Sequence, residues 1–211
     1  MDRSDQIDTF TRIIQVSRET IDSLKIYEQI LLKYNKNLNL IGKSTINEVW
    51  NRHFLDSAQV IDLIDKKIKT CLDIGSGAGF PGLVLAIICK GRNLNTNFNL
   101  LEKSPKKCTF LKEVCSELNL NAKIICQDIE NIQKIQSDVL IARAFKPIPK
   151  IFEIIHKKIN FEKKIVLFLG KKQKFLLNEV SKNWHIEYKQ RNSVTSNDSL
   201  IIEIYKLEKI N

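Results

Sequence analysis

Residues 71–82 read Cys-Leu-Asp-Ile-Gly-Ser-Gly-Ala-Gly-Phe-Pro-Gly, "CLDIGSGAGFPG", and hold four of the seven glycines in the chain. An apolar run of strand length ends at Asp73 and Ile74, and the glycines follow at once. Glycine adopts positive φ without strain and lets backbone come close to a ligand, so the stretch reads as a strand turning tightly into a helix. In an open parallel sheet, ligands sit beyond the carboxyl ends of the strands, near the point where strand order reverses. The first strand-to-helix turn is the usual place, and here it is glycine-rich.

Downstream of this turn, short apolar runs alternate with helical patterns. Strands are predicted at 70–74, 97–102, 122–126, 138–142 and 164–169, and helices at 80–89, 105–118, 148–158 and 173–182. That alternation implies a parallel sheet with helices on both faces. Two closing strands near 184–190 and 199–206 have no helix between them and are expected to form an antiparallel, hairpin-like edge. Upstream the rhythm is helical only. Apolar positions Ile7, Phe10, Ile13, Ile14, Ile21, Leu24, Tyr27, Ile30 and Leu31 recur at three- and four-residue spacing, which predicts one helix over 3–34. After an Asn-rich break from Asn35 to Gly42, a second helix is expected over 45–65. The expected organisation is a helical N-terminal cap, residues 1–66, on an α/β domain, residues 67–211.

With 43% hydrophobic and 27% charged residues, the chain can bury a sizeable core and is not composed like a disordered protein. Its longest apolar runs, at 83–89, 165–169 and 200–202, are too short to span a bilayer, and no signal-peptide pattern opens the sequence. A cytoplasmic location without membrane contact is the expectation. Five cysteines, at 71, 89, 108, 115 and 126, form no C-x-x-C pair, which argues against both a disulfide framework and a zinc site. All five are expected to be small buried hydrophobes. The formal charge is +10, and its distribution is uneven: residues 1–65 carry −2 and the remainder +12. A localised excess of this kind fits one surface that meets nucleic acid.

A G-x-G-x-x-G match can be forced onto Gly77, Gly79 and Gly82, with Glu102 about twenty residues on, and alone it would favour a dinucleotide. Asp73 speaks against that. A carboxylate at the strand end beside a pyrophosphate means like-charge repulsion, on the order of a few kcal/mol at short range. Beside an ammonium or sulfonium the same charge attracts, so S-adenosylmethionine fits better. Glu102, closing the second strand, is placed to accept both ribose hydroxyls, a contact common to adenosine cofactors. The third strand ends in Gln127-Asp128-Ile129-Glu130, placed to reach the adenine from main chain and side chain. Gly75 and Gly77 give the loop its room.

"DIGSGAGFPG", together with "NLNLIGKST", "RHFLDS" and "IARAF", resembles the glucose-inhibited division protein B family, also called RsmG. These are bacterial methyltransferases of 16S (small-subunit) ribosomal RNA acting on guanine N7. The resemblance runs from about residue 30 to the C-terminus. It implies a Rossmann-like class I methyltransferase fold: a seven-stranded, mostly parallel sheet with an antiparallel last strand, behind a small helical N-terminal region. It also implies S-adenosylmethionine as cofactor, S-adenosylhomocysteine as product, and 16S rRNA or the small subunit as partner. Cofactor contacts carry over onto Asp73, Gly75, Phe80, Glu102, Ile129, Glu130 and Arg143. The chain departs from the family in Ser76 and Ala78 within the loop, and in Gly170-Lys171-Lys172 after the fifth strand.

Guanine N7 is a lone pair without a proton, so such a reaction needs no general base, and positioning supplies the rate. Arg143, at the carboxyl end of the fourth strand, is expected to shape the pocket and to touch cofactor or RNA. His53 and Asp56 lie one turn apart and either line the pocket mouth or join cap to sheet by hydrogen bonds, the second being preferred. Lys103, Lys106, Lys107, Lys146, Lys171 and Lys172 follow carboxyl ends of strands and are the candidates for phosphate contact. A monomer is expected. Two other readings are an RNA-binding protein with a vestigial cofactor pocket, which would bind neither cofactor nor its product, and a methyltransferase of a non-RNA substrate.

Overall fold

The computed structural model describes residues 2–210, with the side chains of residues 171, 172 and 174 outside the described set. Seven strands form one sheet: β1 (Thr70–Ile74), β2 (Asn97–Glu102), β3 (Ala122–Cys126), β4 (Ile135–Arg143), β5 (Ile159–Gly170), β6 (Trp184–Asn192) and β7 (Ser199–Lys209). Their spatial order is β3-β2-β1-β4-β5-β7-β6. The pairs β1–β2, β1–β4, β2–β3 and β4–β5 are parallel, and β7 runs antiparallel to both β5 and β6. The order reverses between β1 and β4, so the loop after β1 opens at the switch point.

β1 is central and buried from Cys71 to Ile74. Alternate residues serve opposite faces: Cys71 joins the core on one side, and Leu72 and Ile74 the core on the other. The first face carries α4 (Gly82–Gly91) and α5 (Pro105–Glu117); the second carries α6 (Ile148–Lys158) and α7 (Lys171–Val180). Every residue of α4 from Gly82 to Cys89 is buried, because the N-terminal helices cover the side that the sheet leaves open. This sandwiching explains why its sequence is apolar all round instead of on one stripe.

The expected single helix over 3–34 is two helices, α1 (Arg3–Ile14) and α2 (Arg18–Asn35). Gln15 takes a left-handed conformation (φ 53°), and the Ser17 side chain caps α2 by accepting from Thr20 N. The break folds α1 back so that Phe10 meets Trp50 edge-on with ring centroids 5.5 Å apart. Nor is 45–65 one regular helix. It winds through a 3₁₀ stretch (Lys43–Glu48), a π-helical stretch (Trp50–Leu55), the short α3 (Asp56–Ala58) and another 3₁₀ turn (Ile61–Leu63). Buried Glu28 accepts from the Trp50 indole at 3.1 Å and pairs with Arg3 at 3.2 Å, pinning this stretch to α2.

The closing strands pair antiparallel as expected, but only β6 is the edge; β7 is inserted between β6 and β5. Its even-numbered residues from Leu200 to Ile204 are buried in the second core, a reward that an edge position would not supply. Of the five cysteines, Cys126 is exposed, since it ends edge strand β3. Among the described residues no helix is long and apolar enough to cross a membrane.

Candidate active site

The carboxyl ends of β1, β2, β3 and β4 frame a cavity of about 390 Å³. That falls within the range usual for small-molecule sites, roughly 300–1,000 Å³. Its floor is the glycine loop after β1. Gly75 N and Ser76 N both donate to Leu101 O, at 2.9 and 3.1 Å, which ties the loop to the end of β2. From beneath, the buried Tyr27 hydroxyl donates to Ala78 O. Gly75 has φ +74°, and a Cβ there would stand 2.2 Å from the Phe145 ring, so the position excludes any side chain on two grounds.

Glu102 lines the cavity and is only 8% exposed. Its Oε2 accepts from Gly77 N at 2.9 Å and its Oε1 from Ser104 N at 2.8 Å. The carboxylate therefore bridges the glycine loop and the start of α5, and each oxygen keeps accepting capacity for a ligand hydroxyl.

Asp73 stands differently from the expectation that its carboxylate faces the ligand directly. It is 1% exposed and does not line the cavity; it lies under the loop, where Oδ2 accepts from Gly82 N at 3.0 Å. Oδ1 is buried and has no hydrogen-bond partner among the described residues. Burial raises its pKa to about 7, against the opposing pull of the Gly82 N–H. A buried carboxylate oxygen without a partner is costly, and a cationic group brought into the loop would offset that cost. The orphaned oxygen, the Glu102 wall and the cavity volume together fit an adenosine ligand that carries a positive charge.

Arg143 is held by residues of the N-terminal helical stretches. Its Nη1 donates to Asp56 Oδ2 at 2.7 Å and to Arg52 O at 3.3 Å, and its Nη2 donates to His53 Nδ1 at 2.9 Å. The guanidinium lies over the Phe80 ring, 5.1 Å from its centroid. His53 stacks on the same ring at 4.9 Å with an interplanar angle of 12°. Burial, then the nearby Arg143 charge, lower the His53 pKa to about 4. The π-helical stretch brings His53 and Asp56 together at this point, as π turns often do at functional sites. His53 and Arg143 line the cavity, and Asp56 stands behind Arg143. These bonds join the stretch around His53 and Asp56 to the end of β4.

Of the remaining sequence candidates, Gly77, Phe80, Lys103, Lys107, Asp128, Ile129 and Lys146 also line the cavity. Lys103 and Asp128 pair across its rim at 3.6 Å. Glu130 does not reach it; it points to solvent and pairs with Lys150 at 3.3 Å, because the 3₁₀ turn from Ile129 to Asn131 rotates it away. Lys106 faces a separate hollow with Lys33 and Tyr34, one residue round the helix from Lys107. The side chains of Lys171 and Lys172 lie outside the described residues. Sequence reasoning did not place Leu40 and Ile41 on the wall, nor Ala144 and Phe145. The signal for the first pair was Asn35, whose side chain accepts from Leu40 N and Ile41 N at 2.7 and 2.9 Å and folds the Asn-rich break inward. For the second pair, Ala144 carries φ 50°, which no pattern announced.

A family model described as GidB, rRNA small subunit methyltransferase G, matches residues 20–202. Ribosomal RNA small subunit methyltransferase G of Pelagibacter ubique (strain HTCC1062) is 36% identical over 198 residues, covering 93% of each chain. The protein of the same name from Rickettsia felis (strain ATCC VR-1525 / URRWXCal2) is 37% identical over 198 residues, 94% of this chain and 100% of its own. Among solved structures, M. capricolum TrmK in complex with S-adenosyl-homocysteine is similar with a TM-score of 0.52. That match covers 71% of this chain and 67% of the other at 21% identity, a likeness of fold.

Proposed function

The chain belongs to the family of rRNA small subunit methyltransferase G, and from that premise we propose that it transfers a methyl group from S-adenosylmethionine to N7 of one guanine in 16S ribosomal RNA. The observation that carries this reading is a single cavity with acid on its inner wall and base on its rim. Glu102 forms the acidic inner wall, with the buried Asp73 carboxylate behind the glycine loop; Lys103, Lys107 and Lys146 lie outward. A cationic adenosine cofactor suits the first and an RNA backbone the second.

When bound, the cofactor supplies a methyl group on a positively charged sulfur. Glu102 would hold the ribose hydroxyls, the buried Asp73 carboxylate would favour a positive charge above the loop, and Phe80, Ile129 and Arg143 would enclose the remainder. No residue need remove a proton, since N7 attacks with a lone pair. His53 is unsuited to proton removal, because its Nδ1 accepts from Arg143 and its Nε2 lies 2.9 Å from Thr45 Oγ1. Rate would come from positioning the base beside the cofactor in a site whose walls are already assembled. The lysines give affinity for the phosphate backbone and little sequence choice, so an unstacked guanine in a folded RNA is the form that enters. The protein acts as a monomer in the cytoplasm, with residues 1–66 as a cap that completes the pocket.

Mass-spectrometric mapping of 16S rRNA tests the assignment. A strain lacking the protein should lose one N7-methylguanosine, wild type should restore it, and Glu102→Ala should not. An unchanged N7-methylguanosine content in the deletion strain would refute the assignment.

A further inference from the structure

Asp56 carries more than one partner. Its Oδ2 takes the Arg143 guanidinium, while Oδ1 accepts from Thr195 Oγ1 at 2.7 Å and from Gln59 Nε2 at 2.9 Å. The Ser193 hydroxyl lies 3.2 Å from the same oxygen and 2.9 Å from Thr195 Oγ1, so its one proton is shared between the two. Gln59 completes the arrangement: Nε2 also donates to Ser193 Oγ at 3.1 Å, and Oε1 accepts from Val194 N at 2.9 Å. Ser193 is 7% exposed. The connection between β6 and β7 is thus wrapped around one carboxylate of the cap, 137 and 139 residues away in sequence.

A carboxylate can turn about its terminal torsion, and a broad torsional well does not fix which oxygen faces a partner. Here the donors on Oδ1 leave Oδ2 as the oxygen presented to Arg143. The Arg143 guanidinium uses Nη1 and one Nη2 proton on the cap, which leaves two of its five N–H donors without a partner among the described residues. Arg143 lines the cavity, with Phe80 beneath it and His53 beside it. Those remaining donors are oriented by the contacts of the guanidinium with Asp56, His53, Arg52 O and the Phe80 ring; the shortest of its hydrogen bonds is to Asp56, and Asp56 is itself oriented by the β6–β7 connection.

We propose that Ser193 and Thr195 are positioning residues of the active site, acting through Asp56 to hold Arg143 in the orientation that receives the cofactor. The inference rests on the reading of this cavity as the cofactor site. It gives the C-terminal antiparallel pair a part in the reaction beyond closing the sheet, and it makes the cap and the β6–β7 connection one unit around a single guanidinium.

Calorimetric titration of the whole protein with S-adenosylhomocysteine tests this, with melting temperature recorded for each variant. The Ser193→Ala/Thr195→Val double variant should bind about tenfold more weakly, the usual cost of removing hydrogen bonds to a charged group. Thr195→Ser, which keeps the hydroxyl, should bind like wild type. In an Arg143→Ala background, adding the double change should produce no further loss, because the relay then has nothing to orient. A purely structural role predicts instead the same further loss in both backgrounds, and that result would overturn the proposal. So would double-variant affinity equal to wild type. Wild-type protein that binds no S-adenosylhomocysteine would overturn the cofactor reading itself, a result distinct from the other two.

Discussion

Arg143 Nη2 donates to Nδ1 of His53 at 2.9 Å, across 90 residues of chain. A guanidinium can only donate, so Nδ1 must accept, and the imidazole is neutral with its proton on Nε2, turned to Thr45 Oγ1. The tautomer follows from the partners. Burial and the Arg143 charge, which lower the His53 pKa to about 4, act in the same direction as this hydrogen bond.

That shift sets a pH dependence of stability. The unfolded chain takes up a proton on this histidine near its ordinary value of 6.5, whereas the native protein resists until about 4. Between those values the unfolded state binds more protons, so the contribution is complete above 6.5 and is lost as pH falls through the window. His53→Gln retains an acceptor and removes the titration. Urea unfolding at pH 6.5 and 4.5 should show a smaller stability loss for this variant than for wild type; equal losses would contradict the assigned protonation state.

Asp73 has the opposite sign. Its pKa, raised from 3.8 to about 7 by burial, means that ionisation at neutral pH costs the ligand-free protein stability, with the cost growing as pH rises from 3.8 through 7. The Asp73→Asn variant keeps an oxygen for Gly82 N and should melt no lower than wild type at pH 8 without ligand. Its affinity for S-adenosylhomocysteine should fall by about tenfold, as expected for loss of a charged partner. Wild-type affinity should tighten between pH 6 and pH 8 as the carboxyl ionises. A variant that melts lower and binds unchanged would show that the charge serves the fold alone.

Two glycines of the loop separate strain from collision. At Gly75 an added methyl meets Phe145 at 2.2 Å on a backbone with φ +74°; at Gly77 (φ +57°) it meets only the Gly75 carbonyl oxygen at 3.7 Å. Gly77→Ala should cost about 1 kcal/mol from the backbone alone. Gly75→Ala should cost about 3 kcal/mol, since overpacking adds to the same strain. Denaturant titration of both variants measures the gap, and similar costs would mean that the Phe145 ring moves aside freely.

The basic rim predicts a salt effect. Single Lys103→Ala, Lys107→Ala and Lys146→Ala substitutions should each weaken binding to under-methylated small subunits. Each should also reduce the slope of log affinity against log salt by about 1, while leaving affinity for S-adenosylhomocysteine within about twofold. A slope unchanged in all three variants would move the RNA path elsewhere on the surface.

Local patterns were legible where a residue's role depends on near neighbours. The strand ending at Ile74, the glycine turn and Glu102 closing the second strand follow from runs of about ten residues and lie where the sequence places them, and the helix expected over 80–89 starts two residues later, at Gly82. The break at Gln15 was missed because Phe10, Ile14, Ile21 and Leu24 keep helical spacing across it. Only the Ser17 cap marked the new start. The π-helical stretch was missed for a similar reason: Trp50 and Phe54 suit an α-helix equally well, and packing against Phe10 and Tyr27 decides the winding.

By itself, then, the sequence determined that a parallel sheet with a glycine loop and an acid closing its second strand faces a basic rim, since strand periodicity, glycine and charge act over short range. Tertiary structure alone decided that Asp73 lies under the loop with one oxygen unpaired, that Glu130 turns away, and that β7 enters the sheet. It alone brought His53, Asp56, Ser193 and Thr195 to one guanidinium. Those outcomes depend on which buried polar groups find partners across the chain, and hydrogen bonds between residues 87 to 139 positions apart leave no period to read.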